Sequence, residues 1–175
     1  CLSHDAAIRH RGGFPLSSQH RNSGQSPDRP RLLVIGIDGM DFAITRQLMA
    51  AGRLPHLSAL ASRGAWGPLR STTPPVTPCA WSTIMTGKNP GKHGIFDFLA
   101  GTAADPVASR RRATTIWTKL SGAGWRVGTF NVPTTYPPQP LSGFQVAGFD
   151  APAFGPSMAW PERAYDALWA AVGDY

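Results

Sequence analysis

The feature that most limits how this chain can fold is Leu32-Leu33-Val34-Ile35-Gly36-Ile37, an unbroken apolar run that stops at Asp38-Gly39. Apolar residues on both alternating faces suit a central strand of a parallel sheet, which is covered on both sides. The pattern that follows keeps to an α/β alternation. Asp41 is placed to cap a helix that turns Ile44, Leu48 and Met49 inward. A second helical period uses Leu57, Leu60 and Ala61 and stops at Gly64, in the position of a C′ glycine. Residues 65–71 read as a short strand, 72–77 as a Pro-rich loop, and 78–86 as a helix ended by Gly87. Ile95 to Leu99 reads as a strand, residues 100–113 as a polar, basic surface loop, and Ile116, Trp117 and Leu120 as a helix closing at Gly122 or Gly124. Trp125 to Phe130 is a further strand, 133–140 an extended Pro-rich stretch, and 161–172 a last helix with Pro at its first turn.

Residues 1–31 carry no apolar period and hold five Arg against two Asp, so they read as a disordered basic lead-in to a domain over 32–175. The whole chain of 175 residues is 42% apolar and 15% charged, which fits a globular fold with a real core. No apolar run approaches the roughly 18 residues of a membrane-spanning helix. The net charge of +7 is dispersed apart from Arg110-Arg111-Arg112, and without interleaved aromatics or a binding motif it argues against a nucleic-acid partner. The two cysteines, Cys1 and Cys79, make no disulfide framework and report no compartment. Bacterial cytoplasm and periplasm both stay open, a lipid-anchored Cys1 being one further alternative.

Four features could carry chemistry. Asp38 ends the first expected strand, where ligands of open α/β sheets collect; it either caps the next turn or holds a divalent cation, with Gly39 allowing close backbone approach. Thr77-Pro78 is first of all a good N-cap and first helical residue, but a hydroxyl at a helix N-terminus also meets unpaired amides and the positive end of the macrodipole. The stretch from Gly87 to Gly94 fails the phosphate-loop pattern, because its glycines are four apart and His93 replaces the Ser or Thr that meets magnesium. His93 reads as a hydrogen-bonded structural histidine. Cys79 lacks the Pro and Arg of the sulfatase nucleophile motif and reads as a small buried residue.

Taken together, three blocks resemble the alkaline phosphatase superfamily, in its type I phosphodiesterase/nucleotide pyrophosphatase branch and its predicted phosphohydrolase/phosphomutase group. They are Val34 to Met40 with Gly52 to Leu57, then Ser71 to Pro78 running through Trp81 and Thr86 to Ile95, then Gly124 to Val127 with Asn131 to Pro133 and Thr135 to Pro138. The resemblance implies an alkaline-phosphatase-like, mainly parallel sheet flanked by helices. It also implies Asp38 as a metal ligand and Thr77 as both metal ligand and catalytic nucleophile. Two divalent cations, usually zinc, would then serve hydrolysis of a small phosphorylated substrate, a phosphodiester or pyrophosphate, through a covalent threonine intermediate.

The chain departs from that pattern in two places. Ala80 stands where pyrophosphatase-type relatives carry an Asn, and nothing after Tyr136 matches the family's remaining Asp and His ligands, since no histidine follows His93. The chain is therefore expected to be the amino-terminal part of such an enzyme, incomplete at its C-terminus, nearly inactive alone, with the other ligands beyond Tyr175. A phosphomutase or phosphotransferase of the same superfamily, and a catalytically degenerate binding module, are the alternatives.

Overall fold

The computed structural model describes residues 31–98 and 106–172. The expected lead-in thus lies outside the described residues except for Arg31, as do 99–105 of the expected surface loop. The chain divides after Ile37 into two units.

In the first unit, residues 32–37 form no strand, and Leu32, Leu33, Val34 and Ile35 are 73% exposed or more. This overturns the expected first strand. A strand is a hydrogen-bonded ladder, and an apolar pattern without a bonded neighbour does not make one.

The second unit is mixed α/β. It begins with α1 (Phe42–Ala50) and α2 (Pro55–Arg63). Asp41 caps α1 as expected, its carboxylate accepting the Ile44 N–H at 2.8 Å. Leu48 and Met49 are half-buried, but Ile44 is exposed and Thr45 is the buried position, its hydroxyl donating back to the Asp41 carbonyl. Gly64 follows α2 in an extended conformation, not the left-handed one of a C′ glycine. The expected strand over 65–71 is absent, and so is strand structure at 95–98, the described part of the expected 95–99 strand.

Helix α3 (Thr77–Thr86) closes on Gly87 in the left-handed region (φ 65°), its N–H bonded to the Thr83 carbonyl. The short α4 (Pro90–His93) is capped by Asn89. A 3-10 turn, Val107–Arg110, leads to α5 (Ile116–Gly122), capped by Thr115. Strand β1 (Val127–Val132) starts two residues later than the sequence pattern suggests and pairs in parallel with β2 (Gly143–Ala147), in the register Val127 to Gly143 and Thr129 to Gln145. The two-residue β3 (Ala159–Trp160) adds an antiparallel edge to β2, giving the order β1-β2-β3. Helix α6 (Arg163–Val172) follows, with Pro161 two residues ahead of it rather than in its first turn.

Two apolar clusters hold these parts together. Met85, Trp117 and Leu141 are buried where α3 and α5 meet, with Trp81, Val127 and Val132 packed around them. Val146, Ala147, Met158 and Ala159 are buried against Tyr136, Tyr165 and Leu168, which seats α6 on β2 and β3. The first cluster positions the site, because it anchors the helix that begins at Thr77.

Candidate functional site

Thr77 is the first residue of α3, and Val76 takes the cap position without any side-chain cap bond. The expected capping role of the Thr77 hydroxyl is therefore corrected: the helix starts one residue earlier, and this leaves the hydroxyl free to turn elsewhere. It donates to Asp38 Oδ2 at 3.0 Å. Asp38 is exposed on the turn that continues through Gly39 at φ 66°, a conformation a glycine takes without strain.

The other carboxylate oxygen of Asp38 is also held. Trp81 Nε1 donates to Asp38 Oδ1 at 3.2 Å. Thr77 and Trp81 stand four apart on α3, and that spacing puts both on one helix face. The indole ring is simultaneously part of the apolar cluster around Met85, so the core orients its N–H toward Asp38. Trp81 belongs to the second of the motif blocks, where residue type alone assigns it no role. The i, i+4 spacing from Thr77 was the available signal.

The two other residues singled out in sequence stand apart from this pair. His93 is fully buried. Its Nδ1 accepts the Ile95 N–H at 3.1 Å, so the proton sits on Nε2, which faces the Thr83 hydroxyl at 3.0 Å. Burial pushes its pKa down, the Arg111 charge adds to that, and the Cys79 carbonyl pulls the other way. A neutral, doubly bonded imidazole is the structural histidine that the sequence suggested. Cys79 is fully buried as well, with its thiol donating to the Ile95 and Phe96 carbonyls, and burial followed by the Asp97 charge raises its pKa. A thiol held protonated in this way is a poor nucleophile.

Ala80 lies half-buried on α3 and brings no polar atom to the site. Among the described residues no group of three or more His, Cys, Asp or Glu side chains is arranged to hold a metal ion. Asp38 and Thr77 supply two hard oxygen donors on one side, of the kind that divalent cations take. They fit one part of a coordination shell and do not complete it. Among the described residues, no helix is long and apolar enough to cross a membrane.

No curated protein and no solved structure matches the chain. A protein-family model does: type I phosphodiesterase / nucleotide pyrophosphatase, over residues 32–171. That span takes in Asp38, Gly39, Thr77, Trp81 and all three strands, so the chain belongs to the type I phosphodiesterase/nucleotide pyrophosphatase family of the alkaline phosphatase superfamily.

Proposed function

We propose that this chain carries the nucleophile and one metal-binding side of a phosphohydrolase that cleaves phosphodiesters or pyrophosphates through a covalent threonine intermediate. Membership of the family suggests phosphoester hydrolysis in general, and the family is generally dependent on divalent metals. The finer reading rests on one observation, the 3.0 Å hydrogen bond from the Thr77 hydroxyl to Asp38 Oδ2.

That bond has chemical consequences. With its hydrogen directed at the carboxylate, Thr77 Oγ1 turns its lone pairs away from Asp38 and toward solvent, where a phosphate ester can approach. In the first step the Oγ1–P bond forms and the bond from phosphorus to the leaving oxygen breaks. The hydroxyl proton passes toward Asp38, and the leaving group departs with the electron pair. In the second step water attacks the same phosphorus as the Oγ1–P bond breaks; the proton on Asp38 returns to Thr77 Oγ1, and the attacking water gives up one proton to solvent. Thr77 opens α3, so the positive end of the helix macrodipole lies where negative charge builds on the phosphoryl oxygens. Trp81 keeps the carboxylate from rotating away from the hydroxyl.

Asp38 and Thr77 would hold one cation between them. A bound divalent ion, zinc on the family resemblance and paired with a second, supplies Lewis acidity toward phosphoryl oxygens and eases loss of the hydroxyl proton.

The test is release of nitrophenolate from bis(4-nitrophenyl) phosphate by the chain with added zinc. Two donors bind a cation weakly, so slow zinc-stimulated turnover is expected, falling to the buffer rate in Thr77→Ala and surviving in part in Thr77→Ser. Turnover that Thr77→Ala leaves unchanged overturns the assignment of the nucleophile. Vigorous turnover by the wild-type chain overturns the view that its ligand set is partial.

A further inference from the structure

The arginine triplet marks a second place where charge and space coincide. Arg110 and Arg112 are exposed, while Arg111 turns inward and is only partly accessible. Its Nη2 donates to the Thr134 carbonyl. Its Nε is buried and finds no hydrogen-bond partner among the described residues. A guanidinium has five N–H donors and no acceptor, and a desolvated donor left unpaired costs on the order of 1–3 kcal/mol. Burial lowers the Arg111 pKa to about 10, with the Asp150 charge pulling it back, so the group stays cationic at neutral pH. Asp150 answers that charge in part, while its Oδ1 takes the Thr134 N–H at 2.9 Å.

Beside this guanidinium lies a cavity of about 360 Å³, lined among others by Arg111, Arg112, Thr114, Thr115, Thr118 and Gln139. A smaller one of about 150 Å³ shares Arg111 and Gln139 with it. Among the described residues, no acidic side chain lines either cavity. The hydrogen bonds along the wall also use up acceptors. Thr118 Oγ1 donates to Gln139 Oε1 at 3.0 Å and lies 2.8 Å from Thr115 Oγ1. That occupies one lone pair of the amide oxygen, and the amide N–H groups remain as donors. The Arg112 backbone is fixed by its N–H to the His93 carbonyl at 3.0 Å, and its methylenes lie beside Gly94, so the side chain is carried on an ordered segment.

A wall to which two arginines contribute and, among the described residues, no carboxylate does, selects an anion. Guanidinium geometry matches tetrahedral oxyanions through paired N–H contacts. We propose that the Arg111–Arg112 cavity is a binding site for a phosphoryl group, distinct from the Asp38–Thr77 pair. None of Asp38, Thr77 or Trp81 lines it. It is linked to the nucleophile's helix through Thr134, whose hydroxyl lies 3.4 Å from Ser82 Oγ on α3.

Titration of inorganic phosphate, and separately of a nucleoside monophosphate, into the full chain by calorimetry at constant ionic strength tests this, with chloride as the control. Saturable binding is expected in the wild type and in Thr77→Ala alike, weakened about tenfold or more in Arg111→Gln and in Arg112→Gln. Arg111→Gln removes the clamp on Thr134 and can unfold the loop. Arg112→Gln keeps its backbone bond to His93, and with Thr118→Val it then carries the test, folding being checked by circular dichroism. Binding of inorganic phosphate identifies the free ion as a ligand, and binding of the monophosphate alone identifies the phosphoryl group of a larger molecule; either supports the site. Absence of saturable binding by both, binding indifferent to Arg112→Gln and Thr118→Val, or binding lost in Thr77→Ala overturns it. The last result would locate the anion at Thr77, and it leaves the nitrophenolate assay to judge the hydrolase reading separately.

Discussion

Trp81 holds Asp38 from the core side while Thr77 holds it from the helix end: the indole N–H reaches Oδ1 at 3.2 Å and the hydroxyl reaches Oδ2 at 3.0 Å. A carboxylate on an exposed turn ordinarily samples several rotamers, and each sample costs alignment with an incoming phosphate. Two donors four residues apart on one helix remove that freedom from opposite edges of the same group. The arrangement makes Trp81 a positioning residue in the proposed chemistry.

Trp81→Phe keeps most of the packing around Met85 and Trp117 and deletes the N–H. Stability should change by less than about 1.5 kcal/mol, the worth of one hydrogen bond. Zinc affinity, read by competition with a chromophoric chelator, should fall by about tenfold, the lower end of what losing a ligand's supporting hydrogen bond costs. An affinity equal to the wild type's would show that the indole only packs. Asp38→Asn gives the scale for complete loss of the carboxylate.

His93 makes stability depend on pH. Burial, with the Arg111 charge, lowers its folded-state pKa below the ordinary 6.5. Above pH 6.5 neither folded nor unfolded chain binds the proton, and the residue contributes no slope. Below it the unfolded chain takes up the proton and the folded one does not, so stability falls as pH drops from 6.5 toward the folded-state value. Urea midpoints at pH 7.5 and 5.5 should therefore differ, with the lower at pH 5.5. The difference should shrink in His93→Gln, whose side chain has no proton to take up in this range.

Gly143 is closed to any side chain by the strand beside it. A Cβ there would stand 2.2 Å from the Val127 carbonyl oxygen, and Val127 is its partner in the parallel ladder. Backbone atoms in a paired strand cannot step aside, so Gly143→Ala should destabilise by several kcal/mol, beyond about 3, or abolish the β1–β2 pairing. Gly87→Ala is the comparison. Space is open there, and only the left-handed backbone (φ 65°) resists, at about 1–2 kcal/mol. Urea denaturation of both variants gives the ranking, and equal effects would contradict it.

Much of the helical content was readable because its signals are local. Asp41 ahead of α1 and Gly87 behind α3 act within one turn of the chain, and each stands where a cap is needed. The strands were less readable. Three apolar stretches, 32–37, 65–71 and 95–99, suggested strands that the described residues do not form, whereas β2 went unread between Ser142 and Gly148. Its fully buried Gln145 breaks the apolar run, and the Gln145 side-chain Oε1 accepts the Gln139 backbone N–H at 2.8 Å, a partner no pattern in the strand itself announces.

The sequence by itself determined the helices, the glycine that stops α3 and the motif that names the family, since capping, backbone freedom and residue identity are properties of neighbours in the chain. Only the tertiary structure decided which segments became strands. It likewise decided that Thr77 and Trp81 close on the two oxygens of one carboxylate thirty-nine and forty-three positions away, and that Arg111 Nε is buried with no partner among the described residues. Pairing and desolvation depend on what arrives from elsewhere in the chain, and an isolated stretch of residues holds no record of it.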